Sequence, residues 1–191
     1  CENWKHNLET IAELSPEHIS AYSLIIEEGT PFAQKKLILP TEDEEYQMYE
    51  DTAEILRKYG FHQYEISNYA RDGFECRHNK GYWQRTEYLG AGLGAASLFQ
   101  GKRFSNTRDM QTYLADSTEP EKIREDVTAL SRNNEIEEFM FLGLRMTEGI
   151  SERQFERNFG CRIEDIYGSV LAKYKEMDLL EHTGEFWRFT R

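Results

Sequence analysis

The chain has 191 residues, 39% of them hydrophobic and 13% aromatic, enough for one good core and a small second domain. A formal net charge of −12 speaks against non-specific nucleic-acid binding, which needs cations to displace counterions. No apolar run approaches a membrane span and no signal-peptide pattern opens the chain. The three cysteines, at 1, 76 and 161, are no disulfide framework and no zinc or iron–sulfur set, so the expected compartment is reducing and cytoplasmic.

Trp4, Leu8 and Ile11 follow a helical period that ends near Leu14, before Ser15-Pro16. This helix begins without a cap at Cys1, so the chain is expected to be a piece of a longer protein. Ile19 to Ile26 is a near-continuous apolar run and predicts a strand covered on both faces. Thr41-Glu42-Asp43-Glu44 is a capping box, and its helix puts Tyr46, Tyr49, Ala53 and Leu56 on one stripe. Gly60 stands where a left-handed C-cap is wanted, and Phe61 to Ser67 reads as the next strand. Strand, helix, strand in this order predicts a right-handed crossover between parallel strands.

From Tyr64 to Ser97 two strand-like ends flank a long segment of no clear period, read as a loop over a site. Tyr88 to Phe99 reads as a Gly-rich strand, Gln100-Gly101-Lys102 as a hairpin turn and Arg103 to Asn106 as its return. A brief helix is expected over Asp109–Leu114. Residues 116–134 are polar and hold Pro120, which puts a domain boundary there and divides the chain into 1–115 and 116–191. The second part reads as three helices and a hairpin, a winged-helix outline. Its helices span Ile136–Met146, the segment from the capping box at Ser151–Gln154 to Gly160, and a stretch carrying Ile163, Ile166, Val170, Tyr174 and Met177. The hairpin turns at Thr183-Gly184. The third helix is too acidic at its start to be a DNA reader.

The chemistry-bearing residues cluster in the long segment. His78 offers an imidazole for iron or proton transfer, Asn79 a hydrogen-bonding amide, and Tyr82 and Trp83 a flat apolar wall for a planar ligand. The plainer reading, a surface histidine in a loop pinned by two aromatics, stands beside it. Gly90-Ala91-Gly92-Leu93-Gly94-Ala95 has the spacing of a dinucleotide fingerprint but lacks the helix that must follow. Three glycines at alternate positions strip one face of a strand, so that backbone can approach a ligand. Glu65 is either an inward site residue or a solvent-facing one.

Several ordered motifs together carry a resemblance. These are His18-Ile19-Ser20-Ala21-Tyr22-Ser23-Leu24, Glu28-Gly29-Thr30-Pro31-Phe32, Tyr64-Glu65-Ile66-Ser67-Asn68-Tyr69-Ala70, His78-Asn79 with Tyr82-Trp83, and Leu89-Gly90-x-Gly92-x-Gly94-Ala95-Ala96-Ser97. The chain resembles the C-terminal half of the oxygen-independent coproporphyrinogen III oxidase-like radical S-adenosylmethionine (SAM) proteins, and more closely the haem chaperone HemW family. The resemblance implies an α/β fold: a partial radical-SAM (β/α) barrel half followed by a small helical, winged-helix-like C-terminal domain. It implies SAM and a [4Fe-4S] cluster in the full-length protein, with haem or porphyrin as ligand. The family's Cys-x-x-x-Cys-x-x-Cys loop is not in this sequence, so the chain alone is expected to be inactive in radical chemistry. By resemblance His78, Asn79, Tyr82 and Trp83 are haem-binding residues, with His78 the iron ligand, and Leu24, Glu65, Ala95 and Ala96 line the SAM side of the barrel.

Two functions follow from the resemblance: a chaperone that binds haem and passes it to an acceptor protein, or an oxidase that decarboxylates coproporphyrinogen. The oxidase needs converging arginines, for which Arg71, Arg77 and Arg85 are the candidates. A barrel fragment with only a docking role is the third reading. Open sheet edges invite a dimer of the fragment.

Overall fold

The computed structural model describes residues 1–190. They divide into two compact units, the first Cys1–Cys76 and the second starting at Arg77.

In the first unit, helix α1 (Glu2–Glu13) ends at Leu14 as its period predicts. Helix α2 (Glu42–Lys58) opens on the expected capping box: Glu44 N–H donates to Thr41 Oγ1, and Thr41 N–H donates to the Glu44 carboxylate. Its buried face differs from the predicted stripe. Asp51, Thr52, Ile55 and Leu56 face inward, while Tyr46 stands 66% exposed. Contacts with α1 select that face. The Trp4 indole N–H donates to Thr52 Oγ1 at 2.9 Å, and Lys5 pairs with Asp51 at 3.1 Å. Leu8, Ala12, Ile19, Ile55, Leu56, Phe61 and Tyr69 form the core between the two helices and one face of a sheet.

That sheet holds β1 (His18–Ser20), β2 (His62–Glu65) and β3 (Asn68–Ala70) in the order β1-β3-β2, both pairings antiparallel. Strands β1 and β2 therefore run in the same direction, as a crossover through α2 requires. They are not neighbours, because the return strand of a tight hairpin at Ile66-Ser67 lies between them. The expected strand over 19–26 is cut to three residues. Its partner runs out at that hairpin turn, where Ala21 N–H makes a last bond to Ser67 O at 2.8 Å. Beyond it Tyr22 and Ile25 are 72% and 75% exposed rather than covered on both faces.

The second unit begins with α3 (Arg77–Trp83), so the segment expected to be a bare loop contains a helix. Strand β4 (Ala96–Phe99) is shorter than predicted, and Tyr88 joins it through a single bridge to Leu98. Gln100 and Gly101 turn with φ of 49° and 68° into β5 (Lys102–Asn106), the hairpin that the sequence announces. Asp109 caps α4 (Met110–Asp116). The polar stretch after it is no bare linker: it forms α5 (Pro120–Ile123) and β6 (Arg124–Ala129), and β6 pairs antiparallel with β5.

Helix α6 (Arg132–Gly143), strand β7 (Ile150–Ser151), helix α7 (Glu152–Phe159), helix α8 (Ile163–Glu176) and the hairpin β8 (Leu180–Thr183) with β9 (Phe186–Phe189) follow. The last sheet has the order β7-β9-β8. Gly160 closes α7 at φ 66°, as predicted. Phe139, Phe155 and Phe159 pack ring to ring at 4.8–5.6 Å, and Ile136, Met140, Ile150, Ile163, Leu171, Leu180 and Trp187 complete this core. Helix α8 seats itself by Ile163, Tyr167 and Leu171, while Ile166, Val170, Tyr174 and Met177 of the predicted stripe are exposed. The helix carries two apolar stripes, and only its neighbours choose between them.

Candidate functional site

Helix α3 holds His78, Asn79, Tyr82 and Trp83 together. His78 and Tyr82 are one turn apart on one face, with ring centres 4.5 Å apart and planes at 70°. Tyr82 meets Tyr88 in turn, edge to face at 4.6 Å. His78 is exposed, and among the described residues its ring nitrogens make no hydrogen bond or ion pair. An imidazole so placed has a lone pair to offer a metal, with an aromatic ring at its side. Asn79 and Trp83 lie a turn apart on the adjoining face. The guanidinium of Arg145 sits 4.2 Å above the Trp83 ring, and the buried Trp83 Nε1 has no hydrogen-bond partner among the described residues.

Just past the helix, Arg85 occupies a left-handed conformation at φ 55°. Its Nε–H donates to Glu138 Oε2 at 2.9 Å, and its Nη2 lies 3.5 Å from Glu135. Arg103 donates to both oxygens of the same Glu138, at 2.8 and 3.0 Å. Burial works against the charged carboxylate. The hydrogen bonds from Arg103 and Arg85 outweigh it and hold Glu138 below the usual carboxylate range. Of the three arginines expected to converge, Arg85 is thus engaged, Arg71 donates to Pro16 O and lies over the Phe61 ring, and Arg77 is exposed.

The glycine-rich stretch is a loop and not a stripped strand face. Gly92 and Gly94 take φ of 112° and 63°, which a strand does not allow. Gly90 is required for another reason, since a Cβ there would lie 2.3 Å from Ala96 O. Asn106 Nδ2 donates to Gly90 O and Gly92 O at 3.1 and 2.9 Å, and Gly92 N–H donates to Tyr113 Oη. Ala95 ends this loop and Ala96 begins β4. In the first unit, Leu24 lies in the exposed irregular run after β1. Glu65 is fully buried, and its Oε1 accepts from Ser67 N–H and Asn68 Nδ2 at 2.7 and 2.6 Å. Glu65 therefore does not face solvent.

Two features escaped sequence reasoning. His18 Nε2 lies 2.8 Å from Tyr64 Oη, and burial lowers its pKa against the opposing charge of Glu65. Only the two-residue spacing of His18 and Ser20 on one strand face hinted at a polar surface there. Glu138 gave no signal, because its partners are 35 and 53 residues away.

His78 suits haem iron by its exposure and free ring nitrogens. Cys1, Cys76 and Cys161 are free thiols. Among the described residues no three of His, Cys, Asp and Glu form a metal-holding group. No helix among the described residues is long and apolar enough to cross a membrane.

Residues 130–191 match the family described as the HemN C-terminal domain. That range opens one residue before Ser131, the N-cap of α6, and takes in every element through β9. The haem chaperone HemW of Lactococcus lactis subsp. lactis is 39% identical over 180 residues, 92% of this chain and 47% of that protein. Haem chaperone HemW of Bacillus subtilis is 37% identical over 183 residues, 94% and 48% of the two chains. The chain is HemN-like at its C-terminal end and HemW-like along most of its length. It spans about half the length of the curated relatives that it matches. The solved structure of coproporphyrinogen III oxidase (HemN) from Escherichia coli, a radical SAM enzyme, superposes over 99% of this chain and 48% of its own. Its TM-score is 0.77 at 18% identity, which establishes a shared fold.

Proposed function

We propose that this chain is part of a haem chaperone, and that His78 on α3 ligates the iron of the haem that the protein carries to an acceptor. The observation that carries this reading is an exposed imidazole whose nitrogens have no partner among the described residues, set against Tyr82 on a HemW-like chain. Tyr82 flanks the macrocycle, Asn79 hydrogen-bonds at its edge, and Trp83 holds the helix from beneath through its contact with Arg145. The oxidase reading has less support, because Arg85 is neutralised by Glu138 and Arg71 is held at Pro16.

The full-length protein, in this reading, also binds SAM and a [4Fe-4S] cluster. Leu24, Glu65, Ala95 and Ala96 belong to the SAM side, and the cluster cysteines lie outside this chain. The order α6-β7-α7-α8-β8-β9 supports a winged-helix-like C-terminal domain, with 115/116 as the division by domain type. The protein works in the cytoplasm. Its acceptor presents a basic surface to a chain of net charge −12, so transfer slows as salt rises. The free edge of β1 also offers a second copy of the fragment a strand to pair with.

Haem titration of the chain beside His78→Ala, followed in the Soret region, tests the reading. Saturable binding that weakens about tenfold and shifts its band in the variant supports it. Equal binding by both chains removes His78 from the site.

A further inference from the structure

Helix α3 has seven residues, too few to hold its shape or place unaided. Its position comes from outside, and most of what holds it comes from α6 and the turn after it. Arg145 covers the Trp83 ring. Glu138 takes the guanidinium of Arg85, two residues past the helix, and ties it to Arg103 of β5. On the other side Tyr82 leans on Tyr88, whose backbone exchanges two hydrogen bonds with Leu98 of β4.

Arg85 itself shows that this attachment is specific. Its φ of 55°, just past the end of a helix, is where glycine is the usual residue. An arginine there accepts backbone strain, and the bridge to Glu138 is what its side chain makes in return. The bridge is also well made. Arg103 grips both oxygens of Glu138, and the side chains of Arg85 and Glu138 are only 11% and 13% exposed.

We propose that Glu138, through Arg85, is a positioning residue for the haem ligand: α6 of the HemN C-terminal domain clamps α3 and so sets the direction in which His78 points. This rests on the haem reading of His78. The C-terminal domain then takes part in the site without touching the iron.

The test is a haem titration with Soret spectra on the 191-residue chain and on His78→Ala, Glu138→Gln, Arg85→Gly and the double variant His78→Ala/Glu138→Gln. Glu137→Gln, one exposed position away, serves as control. Arg85→Gly keeps the left-handed backbone free of strain while removing the bridge, so its fold survives even where Glu138→Gln loosens. Both Glu138→Gln and Arg85→Gly are expected to weaken haem about tenfold and move the Soret band toward that of His78→Ala, with unchanged far-ultraviolet circular dichroism. Glu137→Gln behaves as the parent. The double variant binds no more weakly than His78→Ala alone, because Glu138 acts only through His78. Parent-like binding and spectrum in Arg85→Gly, or losses that add in the double variant, overturn the clamp and leave His78 as ligand. Parent-like binding by His78→Ala, or no binding by the parent, overturns the haem reading and the clamp with it.

Discussion

Two histidines in this protein stand beside aromatic rings, and their surroundings give them opposite fates. His78 meets Tyr82 edge to face, and its ring nitrogens have no partner among the described residues. His182 of β8 lies stacked on Trp187 at 4.6 Å and 17°, and its Nε2 is 3.0 Å from Glu152 Oε1. The same carboxylate oxygen also accepts the Trp187 indole N–H at 2.9 Å. Burial, and then the hydrogen bond with Glu164, hold Glu152 above the usual carboxylate range against these contacts. One imidazole is therefore available to a ligand, and the other is a strut between α7 and the hairpin. Residue type does not separate them. The state of the ring nitrogens does.

The largest expected effect falls on the ring against which His182 stacks. Trp187 is a core residue, and Trp187→Ala should lose about 3–5 kcal/mol in a urea titration. A loss under about 1 kcal/mol would mean that the ring does not organise this corner. Next, His78→Ala and His182→Ala should divide cleanly. The first lowers haem affinity about tenfold, or about 1.4 kcal/mol, with unchanged stability. The second loses no haem affinity and costs under about 1 kcal/mol of stability, as a partly exposed polar contact does. Haem binding that depends on His182 instead would invert the comparison.

A smaller effect separates the two carboxylates by pH. The Glu138 pKa is lowered in the fold, so its stabilisation is present above the unfolded value and is lost as pH falls through the folded one. Denaturation midpoints measured down the acid limb should fall less steeply in Glu138→Gln than in the parent. The Glu152 pKa is raised, so its contribution has the opposite sign: as pH rises through the ordinary carboxylate range its ionisation weakens the fold. Glu152→Gln should remove that component. Identical acid limbs in parent and Glu138→Gln would show that the bridge carries no net stability. The smallest effect belongs to Tyr82→Phe, which keeps the ring beside His78 and should leave haem affinity within about twofold.

Much of the local structure was legible because its causes lie within a few residues. The Thr41–Glu44 capping box, the left-handed stops at Gly60 and Gly160 and the Gln100-Gly101 turn all appear where the sequence puts them. Helix α3 was hidden for an equally local reason: Asn79 and Gly81 are poor helix formers, and they blur the period in seven residues. Its motif residues were visible, but their division between a His78–Tyr82 face and an Asn79–Trp83 face was not. The Glu65 carboxylate was named as a candidate, while its burial and its bonds to Ser67 and Asn68 depend on a hairpin turn with no glycine to announce it.

By itself, then, the sequence determined the caps, the tight turns and the longer helices, since each follows from neighbours along the chain. Only the tertiary structure decided which stripe of α2 and of α8 is buried, that β3 separates two strands of like direction, and that Glu138 holds Arg85 from 53 residues away. Those outcomes turn on which surfaces meet, and hydrophobic periodicity is blind to that when a helix offers two apolar faces or a carboxylate finds its partner across the fold.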